Sequence, residues 1–267
     1  MIIQSESKSL ASASSVSSYF HHLPISQDKI DQFNRDGFIV FDKFLNEEGI
    51  AQALSRVEPL FRGEFETGVL PDKVKWQMGR DPETVPRSLC NVWKSDRTLA
   101  RFLLAEEVGR AIARLAGWTG TRSNQDSLLW VPPGVGTIGF HQDNSYQDWH
   151  LPGNVMTCWI SLGQTHAEGG TLEYARGSHL WPLSARLKTF AAPANYREEL
   201  DRAAKEIGAT VDIVPVVVPP GGVAFHTGRM WHGSNYNRSQ SHRYAIASHC
   251  MRSDSKFHSS LKSPMFN

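Results

Sequence analysis

The hydrophobic positions of this chain change period near residue 118. Before that point they recur three and four residues apart; after it they come in short runs closed by glycine and proline. Ser26-Gln27-Asp28 has the composition of a helix start, Ile30 and Phe33 form one apolar stripe, and Gly37 closes the segment, so residues 26–37 are expected to be helical. Phe38-Ile39-Val40-Phe41 reads as a short apolar strand. Asn46-Glu47-Glu48 opens a second helix, with Ile50, Leu54, Val57 and Leu60 at helical spacing. Residues 96–117 read as a third, through Leu99, Phe102, Leu103, Val108, Ile112 and Leu115. Each stripe is read as a face packed on a core. Residues 63–90 mix glycine, proline and charge without a period, the composition of a lid or binding loop.

Beyond Thr121 strands are expected at residues 124–131, 136–141, 154–162, 171–175, 211–217, 222–227 and 242–251. An insertion over 179–210 carries a helical patch near 197–207. Short strands with this punctuation predict an all-β barrel or jelly roll. The expected organisation is a loose polar tail over residues 1–24 and a single domain over 25–267. Within it, a helical part, 25–118, packs on the outer face of a β core, 119–251.

Composition narrows the function. A chain of 267 residues, 40% of them hydrophobic, can bury a sizeable core. A net charge of +1 argues against nucleic acid or an anionic membrane surface as partner. No apolar run approaches the length of a membrane span. The Ser-rich N-terminus lacks a basic segment followed by an apolar one, so it is read as a tail rather than a secretory signal. Cys90, Cys158 and Cys250 are odd in number and contain no Cys-x-x-Cys, which fits free thiols in a reducing compartment. A cytoplasmic protein acting on a small molecule is expected.

The distinctive chemistry lies in Gly139-Phe140-His141-Gln142-Asp143-Asn144. Alternate residues of a strand share a face, so His141 and Asp143 would project together. They would form two-thirds of the 2-His-1-carboxylate set that holds non-haem Fe(II) with open positions. In a chain with 11 histidines the pair alone is better read as a surface turn with a hydrogen-bonded histidine. A third ligand must come from a strand returning beside the first, and two histidines qualify: His226, after Val223-Ala224-Phe225, and His232, in Trp231-His232-Gly233-Ser234. Eleven residues beyond His232, Arg243 stands in an apolar strand. Burying it is costly without an anion. Its planar fork suits a carboxylate, to which Ser234 would add a hydroxyl. His150, His166, His179, His242 and His249 have no partner at a telling spacing and are read as structural.

These motifs, in this order, resemble the phytanoyl-CoA dioxygenase family of Fe(II)/2-oxoglutarate oxygenases. The likeness covers most of residues 26–251. It runs through residues 125–133, Gly139 to Asp143, Thr157-Cys158-Trp159, Gly169 to His179, Phe225-His226, Trp231 to Ser234, and Arg243. The resemblance implies a mainly β fold, a double-stranded β-helix (jelly roll, cupin-like) flanked by N-terminal helices. It implies Fe(II) held by His141, Asp143 and His232, and 2-oxoglutarate held by Arg243 and Ser234, with Gln125, Trp159 and Ser127 lining the co-substrate pocket. Such proteins also carry a histidine near the position of His226, with the ligand in the following His-Gly-Ser turn, so His232 is preferred. The implied reaction consumes O2, releases succinate and CO2, and hydroxylates or otherwise oxidises an unactivated C–H bond. Related halogenases place Ala or Gly where Asp143 stands, so the carboxylate favours hydroxylation.

Asn144, Tyr146 and Trp149, just after the candidate metal strand, are expected to contact substrate. Asn91 and Trp93, with Lys75, Arg80, Arg87 and Lys94, would join from the 63–94 segment, and Arg229 from the distal turn. Cations and aromatics together suit a small substrate with an anionic group, such as an aminoalkylphosphonate or an amino-acid-like compound. A secondary-metabolite scaffold is the alternative. A non-catalytic ligand-binding jelly roll would not need both the ligand set and Arg243, and a zinc hydrolase would leave Arg243 and Ser234 without a role.

Overall fold

The computed structural model describes residues 17–187 and 193–259. Of the expected tail, residues 1–16 lie outside the described residues. Residues 17–24 belong to the fold: Tyr19 and Phe20 pack on Phe102 and Phe44, Phe20 bridges Leu45, and Leu23 is buried. These apolar side chains, set in a polar tract, are what tie the segment down.

Helix α1 (Gln27–Asp36) starts where the Ser26 hydroxyl accepts the Lys29 N–H and stops at left-handed Gly37 (φ 84°), whose N–H donates to Phe33 O. Strand β1 (Phe38–Phe41) follows directly. The expected helix over residues 46–60 is two, α2 (Glu47–Leu54) and α3 (Val57–Phe61). Pro59 accounts for the break, because its ring would clash with the carbonyl of Ser55 in a continuous helix. The 63–90 segment, expected to be irregular, contains β2 (Lys73–Val74) and β3 (Arg87–Cys90). Arg87 anchors β3: its guanidinium lies 3.8 Å from the Trp76 ring centroid and 4.0 Å from that of Trp130, and pairs with Glu83. The helix expected over 96–117 is also two, α4 (Arg97–Leu103) and α5 (Glu106–Ala116). At that break the Ser248 hydroxyl donates to the Leu103 carbonyl.

The β region comprises β4 (Thr121–Val131), β5 (Ile138–His141), β6 (His150–Leu151), β7 (Val155–Ser161) and β8 (Leu172–Ala175). After α6 (Glu198–Ile207) come β9 (Ile213–Pro215), β10 (Val223–Thr227), β11 (His232–Ser234), β12 (Arg243–Arg252) and β13 (Lys256–Phe257). All pairings are antiparallel. One sheet has the order β1-β10-β7-β12-β4-β3-β2, the other β5-β11-β8-β9, and β13 pairs with β6. Two facing antiparallel sheets with these crossovers make the expected jelly roll. Strands β6, β11 and β13, of two or three residues, were not expected. No helix among the described residues is long and apolar enough to cross a membrane.

The large sheet divides the molecule. On its outer face Leu89, Leu128, Trp130, Cys158, Ile160, Phe225 and Ile246 cluster with Phe61, Leu99, Phe102, Val108 and Ile112 of the helices and with Trp76 of the segment after β2. Its inner face meets the small sheet through Phe38, Trp159, Leu172, Tyr174 and Met230. There it carries Ala224, Ala245 and Ala247 where the outer face carries large side chains. Alanines opposite the small sheet leave a void, and a cavity of about 680 Å³ opens between the sheets.

One charge fastens the helices beside this wall. Buried Asp96 accepts the Leu99 N–H at 2.8 Å as the cap of α4 and receives Arg56 Nε at 2.6 Å. Asp96→Ala removes both interactions at once and is expected to lower unfolding free energy by about 2–3 kcal/mol, measured by urea denaturation. Asp96→Asn, which retains a cap acceptor, should lose roughly half as much.

Candidate metal and co-substrate site

Strand register assembles the site. Across the inner face of the large sheet one row of paired residues reads Gln125, His249, Thr157, His226, Phe38. The next reads Lys73, Cys90, Ser127, Ala247, Trp159, Ala224. The facing small sheet supplies the row His141, His232, Tyr174 and, beyond it, Ile138, Ser234, Leu172. β5 ends at His141. Gln142 remains extended, and Asp143 opens a 3-10 turn, Asp143–Ser145, so its carboxylate stays on the side of His141 although it is not in the strand. Gly233 is required where β11 bulges between His232 and Ser234: a Cβ there would lie 2.8 Å from Ile138 O and 3.0 Å from the Phe140 ring.

Ligand-competent atoms of His141, Asp143 and His232 all lie within 4.8 Å of one another. Asp143 Oδ1 is 3.7 Å from His141 Nε2 and 3.6 Å from His232 Nε2. His141 Nδ1 faces Gly139 O at 2.8 Å, and His232 Nδ1 faces Met230 O at 2.9 Å. A carbonyl can only accept, so each ring carries its proton on Nδ1 and turns the Nε2 lone pair inward. Burial, with His232 beside it, pushes His141 down to about 3, which keeps the ring neutral. Burial alone would raise Asp143, but the surrounding imidazoles of His232, His249 and His226 overcome it and hold the group well below the usual carboxylate range. Two imidazole nitrogens and one carboxylate oxygen converging from one side suit a divalent first-row metal with an open hemisphere.

Asp143 is also gripped from behind. The Tyr146 hydroxyl donates to Oδ1 at 2.6 Å and the Thr157 hydroxyl to Oδ2 at 2.8 Å. His226 Nε2 lies 3.4 Å and His249 Nδ1 3.3 Å from Oδ2.

In the same cavity lining Arg243 is buried, and among the described residues it has no acidic ion-pair partner and its Nε no hydrogen-bond partner. Burial pushes it down only to about 10, so the group stays charged at neutral pH. Its guanidinium carbon is 5.8 Å from the Trp159 ring centroid. A buried, ionised, partly unsatisfied guanidinium at the end of a cavity is a socket for a carboxylate. Ser234 stands two residues from His232 on β11, about 6.7 Å along the strand, a separation that a five-carbon dicarboxylate would span.

Gln125, Ser127, Trp159, Ser234, Arg243, Tyr146 and Trp149 line the cavity together with His141, Asp143 and His232. Four expected substrate residues do not. The Asn91 amide bonds Asp72, and its oxygen accepts the Asp126 N–H. Trp93 is exposed beside that turn. Asn144 Oδ1 accepts the Val155 N–H, and the Arg229 guanidinium donates to His179 O and Trp181 O. Asn91, Asn144 and Arg229 hold loops in place. Arg80 and Lys94 pair with Asp81 and Asp72. Lys73, Arg186 and Leu187 enter the lining unexpected. So does His249, set aside above as structural. Its signal was parity, since it shares a strand face with Arg243, Ala245 and Ala247, and Thr157 likewise shares one with Trp159.

The chain matches the family model described as phytanoyl-CoA dioxygenase over residues 33–245. It is 25% identical over 239 residues to an ectoine dioxygenase of Stutzerimonas stutzeri (strain A1501), covering 82% of this chain and 74% of that one. It is 21% identical over 220 residues to the multifunctional dioxygenase prhA of Penicillium brasilianum, covering 79% and 67% respectively. In fold it is similar to the non-heme alpha ketoglutarate dependent carbocyclase SnoK from nogalamycin biosynthesis, with a TM-score of 0.70 at 20% identity, covering 90% of this chain and 88% of that one. EctD from S. alaskensis, solved with 2-oxoglutarate and 5-hydroxyectoine, aligns with a TM-score of 0.62 at 18% identity, covering 91% and 80%. The chain belongs to the phytanoyl-CoA dioxygenase family, and it is a non-haem iron, 2-oxoglutarate- and O2-dependent dioxygenase.

Proposed function

We propose that His141, Asp143 and His232 hold the iron, that Arg243 and Ser234 hold the far carboxylate of 2-oxoglutarate, and that the enzyme hydroxylates an unactivated C–H bond of a small polar or anionic molecule. The observation that carries this reading is the pairing of a 2-His-1-carboxylate cluster with an unpartnered buried arginine in one cavity. When bound, iron with 2-oxoglutarate would supply an oxidant from O2: decarboxylation of 2-oxoglutarate gives CO2 and succinate, which takes one oxygen atom, and the other goes to the substrate C–H bond.

The chain's own part is position and dryness. Backbone carbonyls fix the two histidine tautomers, and Thr157 and Tyr146 fix the carboxylate. Arg243 and Ser234 set the depth of the co-substrate, against the side walls of Trp159, Leu172 and Ile138. These walls exclude water from the inner end and strengthen the charge pairing there. Tyr146 and Trp149 face the space left for substrate.

Charge favours an anionic substrate. Asp143 is the only carboxylate among the described residues lining the cavity, against Lys73, Lys75, Arg87, Arg186 and Arg243. Arg87 is taken by Glu83 and Arg186 lies 3.7 Å from Asp148, and the lining as a whole keeps a net positive field. An aminoalkylphosphonate or amino-acid-like compound fits that field. The volume of about 680 Å³ also admits a larger secondary-metabolite scaffold. Three buried free thiols, Cys90, Cys158 and Cys250, support a cytoplasmic setting.

Succinate release from 2-oxoglutarate, measured with Fe(II) and O2 and screened against small anionic compounds and larger scaffolds, tests the reading. Wild type is expected to release succinate faster with a true substrate, and Asp143→Ala to fall at least 100-fold. No iron-dependent succinate under any condition would refute it. Arg243→Met should raise the KM for 2-oxoglutarate by roughly 30-fold or more, because it removes one partner of a buried charge pair. An unchanged KM would remove Arg243 from the co-substrate site.

A further inference from the structure

Among the buried histidines that are not candidate iron ligands, His226 stands against Asp143. His226 is 1% exposed, and its Nε2 has no hydrogen-bond partner among the described residues. Its other nitrogen, Nδ1, lies 2.8 Å from the Tyr174 hydroxyl. Asp143 Oδ2, 3.4 Å away, is the acidic atom its Nε2 faces.

Two tautomers can be weighed. With the proton on Nδ1, the Tyr174 oxygen would accept it, and the Nε2 lone pair would point at the lone pairs of an ionised carboxylate. In a buried, low-dielectric setting that arrangement is repulsive. With the proton on Nε2, the Tyr174 O–H donates to Nδ1 and the N–H stands 3.4 Å from Oδ2, close enough for charge–dipole attraction though not a formed hydrogen bond. Every group then faces a complementary one.

We propose that His226 is a positioning residue: the relay Tyr174 O–H to His226 Nδ1, and His226 Nε2–H to Asp143 Oδ2, holds the second carboxylate oxygen off the metal. Asp143 then binds through Oδ1 alone. The consequence is a coordination number. A carboxylate free to turn would offer both oxygens and occupy a position that 2-oxoglutarate or O2 needs. Thr157 donates to the same Oδ2 from the neighbouring strand, so two donors on β7 and β10 hold it. The relay is rigid because its members sit on paired strands: Tyr174 on β8 beside His232, and His226 on β10 beside Thr157. Tyr174 is itself stacked on Phe38, with centroids 4.5 Å apart.

The inference rests on the ligand assignment above, and the test separates the two. Metal-free full-length protein is titrated with Co(II) against a competing chelator, and its visible d–d bands are recorded. His226→Leu is expected to bind Co(II) 10–100-fold more weakly with altered bands. His226→Gln, whose amide can donate near the Nε2 position, should lie much closer to wild type in both. His226→Leu within twofold of wild type with unchanged bands would overturn the relay, as would equal weakening in His226→Gln and His226→Leu, the mark of a packing role. Should His226→Leu fail to fold, Tyr174→Phe carries the test: threefold or greater weakening supports the relay, and unchanged affinity and bands overturn it. If Asp143→Ala binds Co(II) as tightly as wild type, the ligand assignment falls and the relay with it. A failure confined to the His226 and Tyr174 variants removes the relay alone.

Discussion

A buried carboxylate without compensating donors would take up a proton, and the site would lose its charge. Asp143 escapes this because five strands and a turn surround it: the Thr157 and Tyr146 hydroxyls donate to it, His226 and His249 lie beside Oδ2, and His141 and His232 lie beside Oδ1. The arrangement of β5, β11, β7, β10 and β12 can be understood as what is needed to aim those groups at one pair of oxygens. The donors divide by oxygen. Oδ1 faces the two candidate ligand histidines and Oδ2 faces the large sheet, so the carboxylate has an inner and an outer side.

The large sheet does two jobs with its two faces. Outward it packs aromatics and branched aliphatics against the helices. Inward it alternates polar groups with alanines, and space as well as chemistry results. β3 and β2 extend the same wall, which is why Cys90 and Lys73 stand in line with Ser127, Ala247 and Trp159. The Arg87 stack between Trp76 and Trp130 secures that extension from the outer side.

Much of this was legible in the sequence, and the gaps have physical causes. His141 and Asp143 stood out by their spacing and Arg243 as a lone cation among apolar residues, whereas His232 was preferred to His226 only through the family resemblance. His249 and Thr157 were overlooked because β12 and β7 are buried on both faces, so only their parity with Arg243 and Trp159, and no polar–apolar alternation, marked the face they share. β11 is three residues long with a bulge at Gly233, too short for any period. β2 and β3 gain their order from pairing at the edge of a sheet rather than from their own pattern. Asn91 and Arg229 misled because polar residues near a site also hold its loops, and only coordinates separate the two roles. The Pro59 break could have been read; the break after Leu103 depends on Ser248, far along the chain.

The central claim is that one cavity holds iron on His141, Asp143 and His232 and 2-oxoglutarate on Arg243. It is tested most directly by adding Fe(II) and 2-oxoglutarate to metal-free protein without O2 and recording the weak visible metal-to-ligand charge-transfer absorption. The account predicts a band in wild type that is lost or strongly weakened in Asp143→Ala and in Arg243→Ala. No band at saturating iron and 2-oxoglutarate, or a band that both variants retain at full strength, would contradict it.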